Sequence, residues 1–359
     1  MRYLCRMLED QETEYTPISR LGEFGLIEHL TKDLEYVQPN LLKGIGDDAA
    51  VYAINDEDVH VVTTDLLVEG VHFDLSYVPL QHLGYKSVVV NISDIYAMNA
   101  EPFAITVSVA LSSRFTVEAM EVLYEGIRAA CEYYHVDLIG GDTSSSRSGL
   151  MISVTAIGRG KKSEIVYRSG AKEHDLIVLS GDLGAAFAGL QVLEREKSVY
   201  LQNSAVQPDL SNMEYVISRQ LKPEARGDIL RLLRKHGIQP TSMIDISDGL
   251  ASELLHLCKQ SGTGATIYEN KIMIDPVTVT VADSFEISSL NYALNGGEDY
   301  ELLFTVPLEA YDKIKEMPGV FIIGHMTEAA AGVHCITDGG NLLPIKAHGF
   351  NHFNDDDNA

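Results

Sequence analysis

The chain has 359 residues, more than one hydrophobic core usually holds, so its length predicts two domains. Hydrophobic residues make up 45% and charged residues 22%, a composition that excludes a wholly disordered protein. Asp and Glu number 52 against 27 Lys and Arg, and the formal charge of -25 would repel nucleic acid and anionic membranes over most of the surface. Neither is expected as a partner. An acidic chain that handles anionic ligands needs a cation between the two, and a divalent metal ion is the obvious candidate.

Cysteine spacing indicates a reducing compartment. The four cysteines are Cys5, Cys131, Cys258 and Cys335. They lie far apart, with no C-x-x-C pair and no histidine at metal-binding spacing, so neither a zinc site nor a disulfide framework is expected. A cytoplasmic location fits this pattern.

The two ends of the chain are polar. Acids at Glu9 and Asp10 precede any apolar segment, and no run approaches the about 18 apolar residues that a membrane span needs. The sequence therefore predicts neither export nor a membrane anchor. Residues 1–18 are predicted to be a polar extension, with Met7 as an alternative start, and residues 351–359 an acidic, disordered tail.

Strand and helix patterns alternate along the chain in two blocks. The first block contains strands at 49–53, 59–64, 103–111, 136–140 and 150–158, and helices at 79–100 and 117–134. After a polar turn at 158–164, the second contains strands at 175–180, 243–247, 264–269, 301–306 and 320–326, and helices from about 184 and at 249–260. Residues 197–213 show no clear period. The pattern predicts an N-terminal domain at 19–162 and a C-terminal α/β domain at 163–350.

Acidic segments stand where phosphate-binding motifs would be expected. The chain has no Walker motif, no G-x-G-x-x-G and no kinase H-R-D or D-F-G pair, which excludes Walker ATPases and protein kinases. Five segments instead carry aspartates near strand ends and loops: Gly46–Asp48, Thr63–Asp65, Asn91–Asp94, Gly140–Thr143 and Asp245–Gly249. Each alone has an ordinary explanation in turn chemistry, and Asp248 could cap the helix at 249–260.

As a set, the aspartates indicate bound metal. Asp94 lies in an apolar helical segment with Asn91 on the same face, so its charge must be neutralised, by a cation or by a lysine such as Lys86. Asp47 and Asp48 are a like-charge pair that needs a cation or protonation of one member. Several Mg²⁺ ions would satisfy converging aspartates, with threonine hydroxyls filling further positions. This pattern favours phosphoryl transfer in which metal offsets the phosphate charge.

Seven motifs, in order, resemble those of the thiamine-monophosphate kinase family. They are GIGDDAA (44–50), TTDLLVEGVHF (63–73), GYKSVVVNISDIYAMNAEP (84–102), LIGGDTS (138–144), YRSGAK (167–172), IDISDGL (244–250) and GGEDYEL (296–302). The resemblance covers about residues 22–353. It implies the two-domain α/β (α+β) fold of the aminoimidazole ribonucleotide synthetase-like, or PurM-like, superfamily. There, N-terminal mixed sheets pair in a dimer barrel, and the apolar strands at 49–54 and 103–111 are compatible with that arrangement.

The resemblance also implies roles for individual residues. The implied Mg²⁺ ligands are Asp47, Asp48, Thr63, Thr64, Asp65, Asp94, Asp142, Asp245 and Asp248, with Asp94 and Asp142 the most critical. The implied ATP-binding residues are Tyr124, Gly141, Asp142, Arg168 and Ser247. The implied thiamine phosphate contacts are His72, Glu298 and Phe350, and position 350 departs from the Tyr or Trp of many relatives. A carboxylate suits the cationic thiazolium and an aromatic ring suits stacking.

The implied reaction is ATP-dependent phosphorylation of thiamine monophosphate to thiamine diphosphate, by direct in-line transfer with several Mg²⁺ ions and no general base, in a cytoplasmic homodimer. Two alternatives stay open. One is another enzyme of the superfamily that forms an acyl or imino phosphate, and the other is a noncatalytic dimer that binds metal or nucleotide. Without the motifs, His72 would be a structural histidine on a strand, Arg168 a surface charge, Glu298 a turn acid and Phe350 a core anchor.

Overall fold

A computed structural model describes residues 16–347, which divide into two units, 16–37 and 38–347. The first unit contains a 3₁₀ turn at Ile18–Arg20 and helix α1 at Gly22–Thr31. The second contains two β-sheets. The predicted domain boundary at 162/163 falls between these sheets and stays a prediction. The predicted acidic tail, Phe350 and most of the predicted N-terminal extension lie outside the described residues.

The first sheet has six strands in the order β1-β2-β3-β6-β4-β5. Their bounds are β1 Leu41–Lys43, β2 Ala50–Ala53, β3 Asp58–Val68, β4 Glu101–Leu111, β5 Asp137–Ser145 and β6 Met151–Lys161. All neighbours pair antiparallel except β4 and β5, which are parallel. Strand β5, predicted to end at residue 140, runs on to Ser145, so the Gly-Gly-Asp-Thr segment is strand and not loop.

Two long helices accompany this sheet, α2 at Leu80–Ala97 and α3 at Val117–Tyr134. Pro79 is the N-cap of α2, and Thr116 caps α3 by accepting the amide N–H of Ala119. The two helices can pack closely because Gly84 has no side chain. A Cβ at this position would lie 2.0 Å from the carbonyl oxygen of Leu123. Helix α2 is buried on nearly all sides, as its apolar sequence predicts, so a polar side chain on it lies inside the protein.

The second sheet has seven strands in the order β13-β12-β9-β11-β7-β10-β8. Their bounds are β7 Leu176–Ser180, β8 Ser242–Asp245, β9 Thr263–Tyr268, β10 Leu302–Val306, β11 Val320–Glu328, β12 Val333–Ile336 and β13 Leu342–Pro344. The helices of this half are α4 Ala185–Gln202, α5 Glu214–Leu221, α6 Gly227–Lys235, α7 Leu250–Ser261, α8 Pro276–Ser284, α9 Ser289–Asn295 and α10 Tyr311–Lys315, with 3₁₀ turns at Glu269–Lys271, Leu308–Ala310 and Ala329–Ala331. Strands β7 and β10 are buried along their whole length.

The predicted mixed α/β class is confirmed. Each strand and helix that the sequence pattern predicted is present in the described part of the chain. Part of the segment without a clear period, 197–213, continues α4 as far as Gln202. Among helices within residues 16–347, none combines the length and apolar composition that crossing a membrane requires.

Candidate active site

Strand β3 and helix α2 bring the first group of predicted ligands together. The hydroxyl of Thr63 on β3 donates to Asp94 Oδ2 on α2 at 2.6 Å. One turn earlier on α2, Asn91 Oδ1 accepts the backbone N–H of Asp65 at 3.0 Å. Asp94, which the sequence placed inside an apolar helix, therefore faces a polar segment of β3 that contains other predicted ligands.

Residues from the other predicted acidic segments meet Asp94. Asp245 ends β8, and its Oδ2 accepts the hydroxyl of Ser93 at 2.5 Å. Asp48 lies in the loop between β1 and β2. Carboxylate oxygens of Asp48, Asp94 and Asp245 all lie within 4.8 Å of one another. We call these three residues the carboxylate cluster.

Burial and mutual repulsion disfavour the charged forms of these acids. Burial raises the pKa of Asp48 to about 7, although the guanidinium of Arg168 opposes the shift. Burial raises the pKa of Asp245 and of neighbouring Asp65 to about 6. The pKa of Asp94 lies well above its usual range because of burial, then because of the charges of Asp65, Asp245 and Asp48. A bound cation would favour the charged forms of these carboxylates.

The cluster fits a hard divalent cation. Its ligand atoms are all carboxylate oxygens, which Mg²⁺ prefers. Asp48 Oδ2 is buried and makes no hydrogen bond within the described residues. A buried, unpaired carboxylate oxygen is costly, so this atom is suited to a metal ligand.

Arg168 is part of the site and not a surface charge. Its Nε and Nη2 donate to Asp48 Oδ1 at 2.9 and 2.6 Å. Its backbone N–H donates to Asp47 Oδ1 at 3.0 Å, and the Lys43 ammonium lies 3.1 Å from Asp47 Oδ2. Asp47 thus pairs with Lys43 and the Arg168 backbone, whereas the neighbouring Asp48 belongs to the carboxylate cluster.

Glu298 is held by a buried lysine, Lys86, which the sequence allowed as an alternative to a cation beside Asp94. Lys86 Nζ lies 2.9 Å from Glu298 Oε2 and also donates to the carbonyl oxygen of Gln220 at 3.1 Å. Gln220 Nε2 donates to the same Glu298 oxygen at 2.8 Å. The proposed Lys86–Asp94 pair is therefore wrong. Glu298 has a left-handed backbone with φ of 59°, an uncommon conformation that is found at functional sites when the surroundings enforce it.

The segment that carries Glu298 is anchored by its next two acids. Asp299 accepts the backbone N–H groups of Gly184 and Ala186 at the start of α4, at 2.6 and 3.1 Å. Glu301 pairs with Arg219 of α5 at 3.2 Å. Sequence reasoning missed these contacts because Arg219 lies outside every motif. The three acidic residues of GGEDYEL (296–302) were the only indication in the sequence that this segment needs cationic or N–H partners.

Ser247 and Asp248 occupy the loop between β8 and α7. The N-cap residue of α7 is Gly249 and not Asp248, which comes one residue earlier. The carbonyl oxygen of Ser247 accepts the backbone N–H of Glu298 at 2.7 Å. The predicted ATP-side and substrate-side segments are therefore in direct contact.

Thr64 lies on the other face of the first sheet. Successive strand residues alternate between faces, so Thr64 faces away from Thr63 and Asp65. Its hydroxyl donates to the carbonyl oxygen of Val154 at 3.0 Å and accepts from Thr155 at 3.1 Å. Contrary to the prediction, this hydroxyl is not beside the carboxylate cluster.

Asp142 is also separated from the carboxylate cluster within one chain. It lies on edge strand β5, where the pairing register aligns it with Ser108, Ser153 and Leu66, on the face opposite Asp65. Three strand spacings, about 14 Å, separate β3 from β5. The structure does not bring Asp142 to the predicted metal site, and its role stays a prediction.

The remaining predicted residues are dispersed. Gly141 precedes Asp142 on β5, and a Cβ there would lie 1.8 Å from a carbonyl oxygen of β4. Tyr124 on α3 is partly buried against the hydrophobic core. His72 lies in a turn after β3 and not on a strand, and its Nδ1 accepts the N–H of Val68 at 3.0 Å. The neutral ring therefore carries its proton on Nε2. Phe350 lies outside the described residues.

A cavity of about 500 Å³ lies beside α5, lined by residues that include His82, Ile217 and Lys222. None of the predicted site residues lines it. The chemistry-bearing residues are instead organised around α2, with Asp94, Asn91 and Lys86 along its length.

Two family models match most of the chain. The N-terminal domain of AIR synthase related proteins matches residues 46–160, and the C-terminal domain of AIR synthase related proteins matches residues 172–338. The protein is therefore of the AIR synthase related class.

Individual relatives narrow this class. The thiamine-monophosphate kinase of Bacillus subtilis (strain 168) is 34% identical over 340 residues, covering 93% of this chain and 100% of that protein. That of Aquifex aeolicus (strain VF5) is 35% identical, covering 88% and 99%. The solved structure of AaThiL complexed with AMPPCP and TMP has 33% identity and a TM-score of 0.79, covering 96% of this chain and 100% of that one. The chain belongs to the thiamine-monophosphate kinase family, as the motifs predicted.

A more distant structure shares the fold alone. Escherichia coli HypE, a hydrogenase maturation protein, has 16% identity and a TM-score of 0.63, covering 90% of this chain. The PurM-like fold class is thus confirmed at two levels of similarity.

Proposed function

We propose that this protein transfers the γ-phosphoryl group of ATP directly to thiamine monophosphate, giving thiamine diphosphate and ADP. The observation that carries the proposal is the carboxylate cluster, formed by segments far apart in sequence, beside the segment that carries Glu298. Relatives named thiamine-monophosphate kinase, and a related structure with AMPPCP and TMP, support the identity of the two substrates.

Asp48, Asp94 and Asp245 would hold Mg²⁺, together with Asp65 and the Thr63 hydroxyl beside them. When bound, Mg²⁺ would offset the charge of the phosphates and polarise the transferred group. Arg168, positioned against Asp48, supplies a fixed positive charge for ATP. No general base is required, because a phosphate monoester oxygen is already ionised near neutral pH. The protein's part is positioning and electrostatic stabilisation.

Glu298 and His72 would contact the thiamine body, with Phe350 stacking on it. Because Lys86 already balances much of the charge of Glu298, this carboxylate acts more as an oriented acceptor than as a free counterion for the thiazolium. Sequence identity favours this substrate over the acyl or imino phosphate chemistry of other superfamily members. The thiamine-monophosphate kinases of Bacillus subtilis and Aquifex aeolicus are 34% and 35% identical to this chain, and HypE is 16% identical.

The proposal includes a cytoplasmic homodimer. All nine residues of β5 are exposed, among them Ile139 with 60% of its surface accessible, and apolar edge strands usually pair or are covered. A partner on this side would support a role for Gly141, Asp142 and Tyr124 in ATP binding that one chain alone does not provide. Free thiols at Cys131, Cys258 and Cys335 fit a reducing compartment.

The direct test is incubation of the protein with Mg²⁺, ATP and thiamine monophosphate, followed by separation of the thiamine species. We expect thiamine diphosphate and ADP in equal amounts. ATP consumption without thiamine diphosphate would favour another enzyme of the superfamily. Nucleotide binding without any turnover would favour the noncatalytic alternative.

ATP binding is expected to require Mg²⁺, because the acidic cluster would repel a tetra-anion. Isothermal titration calorimetry should give a clear ATP-binding heat with Mg²⁺ and almost none with EDTA. Equally tight binding in EDTA would contradict the role of metal in joining nucleotide to protein.

Metal removal is also expected to change the pH dependence of stability. The folded-state pKa values of Asp48, Asp65 and Asp245 are about 6 to 7, above the unfolded value of 3.8, so the folded protein holds protons more tightly. In EDTA, their contribution makes the free energy of unfolding fall as pH rises from about 4 to 7. Denaturant unfolding at pH 5, 6, 7 and 8 in 0.3 M KCl would measure it. Mg²⁺ should flatten the slope, and an identical slope with and without Mg²⁺ would count against the metal site.

A further inference from the structure

Glu253 is a buried carboxylate in the first turns of α7 that accepts hydrogen bonds from the loop before this helix. Only 2% of its surface is accessible. Its Oε1 accepts the backbone N–H of Asp248 at 2.7 Å, and the backbone N–H and hydroxyl of Ser247 at 3.2 and 3.3 Å. Its Oε2 is buried without a hydrogen-bond partner within the described residues.

These contacts differ from those of a simple helix cap. In a capping box, a glutamate three residues after the N-cap bonds the N-cap N–H. Here the N-cap is Gly249, Glu253 comes four residues later, and its bonds reach the two residues before the N-cap. It therefore fixes the loop that joins Asp245 to α7 and does not cap the helix.

Both backbone polar groups of Ser247 are hydrogen-bonded. Glu253 accepts its N–H, and the N–H of Glu298 donates to its carbonyl oxygen at 2.7 Å. This loop therefore connects Asp245, a member of the carboxylate cluster, to the Glu298 segment. A displacement of the Ser247–Asp248 backbone would move the carboxylates on either side of it.

We propose that Glu253 is a positioning residue for the metal site: it fixes the Ser247–Asp248 backbone so that Asp245 and Asp248 present their carboxylates to the cation. The inference rests on the proposed function only in taking the cation to be Mg²⁺ or its substitute Mn²⁺. Asp248 and Asp245 are close enough to Glu253 for their charges to act on it.

The test uses Glu253→Gln, Glu253→Asp and a matched control, Asp175→Asn. Asp175 is also buried and accepts a loop N–H, from Lys172, and a hydroxyl, from Thr241, but it lies outside the proposed site. Glu253→Gln keeps the shape and an acceptor oxygen at the loop amides. Glu253→Asp keeps the carboxyl group and withdraws the acceptor from the loop amides. Free Mn²⁺ is titrated into each ATP-free protein and measured by electron paramagnetic resonance, and the free energy of unfolding is measured in EDTA.

We expect Glu253→Asp to bind Mn²⁺ about 10- to 100-fold more weakly than wild type, the usual effect of losing a partner that orients metal ligands. Glu253→Gln keeps an acceptor oxygen at the loop amides and should stay close to wild type. Asp175→Asn should lose stability and keep wild-type Mn²⁺ affinity. Wild-type affinity in folded Glu253→Asp, an equally weakened affinity in Glu253→Gln, or no Mn²⁺ binding by the wild-type protein would overturn the inference. Because the readout needs neither ATP nor thiamine monophosphate, failure of the proposed reaction would leave a distinct signature: normal Mn²⁺ binding without thiamine diphosphate.

Discussion

Asp94→Asn is expected to abolish most turnover while making the metal-free protein more stable. The amide oxygen of Asn can still accept the Thr63 hydroxyl, so the local packing survives, whereas the charge shared with the cation is lost. Loss of several kcal/mol of charge stabilisation corresponds to about two to three decades in kcat. In EDTA at pH 8, the same change removes a buried like charge whose pKa is raised by burial and by Asp65, Asp245 and Asp48, so the melting temperature should rise.

A lower kcat together with a higher melting temperature in EDTA would distinguish a metal ligand from a structural aspartate. Steady-state kinetics with saturating ATP gives kcat, and thermal unfolding in EDTA gives the melting temperature. Asp312→Asn on α10 is a suitable control, because Asp312 is exposed and lies away from the site. It should change neither quantity. A wild-type kcat, or a lower melting temperature in EDTA for Asp94→Asn, would show that Asp94 supports the fold and not the reaction.

The core elements were predictable because they carry strong periodicity. Helix α3 at Val117–Tyr134 and strand β4 within 101–111 combine regular apolar spacing with clear ends, and the structure reproduces both closely. Short helices such as α5 and α8 were missed, because little more than two turns give too few apolar positions to establish a period. Strand β5 was cut short because glycines at 140 and 141 indicate a turn in a single sequence, whereas pairing with β4 keeps them extended.

The site was predictable to the extent that charge alone marks it. Asp48, Asp94 and Asp245 could be selected because buried or clustered carboxylates are costly, and the structure places all three together. The side of the sheet on which Thr64 and Asp142 lie could not be predicted, since the face of a strand on which a residue lies depends on register. Lys86 and Gln220 act through side chains that reach across the fold, a relationship that sequence spacing does not encode. Glu253 contacts residues only five and six positions earlier, but it lies outside the motif that contains them.

Glu298→Gln is expected to weaken the use of thiamine monophosphate while leaving ATP affinity nearly unchanged. Loss of one charge-assisted contact is worth about 1.5–3 kcal/mol, or roughly one to two decades in kcat/KM. The ion pair with Lys86 adds a second effect. Lys86 is only 4% exposed, so removal of its counter-charge leaves a buried ammonium without an ionic partner and should lower stability. Measured kcat/KM for thiamine monophosphate, ATP affinity and the free energy of unfolding separate the two effects.

The double variant Lys86→Met, Glu298→Gln distinguishes a substrate contact from a structural acid. Removing both charges eliminates the unpaired ammonium, so the double variant should be more stable than Glu298→Gln alone. If Glu298 binds the thiamine body, however, kcat/KM for thiamine monophosphate should stay low, because the acceptor charge is still absent. Recovery of both stability and kcat/KM would instead reduce Glu298 to the partner of Lys86. Equal damage to ATP and thiamine monophosphate binding would contradict the assignment of separate residues to the two substrates, because Glu298 would then act on the carboxylate cluster through the Ser247 peptide that its backbone contacts.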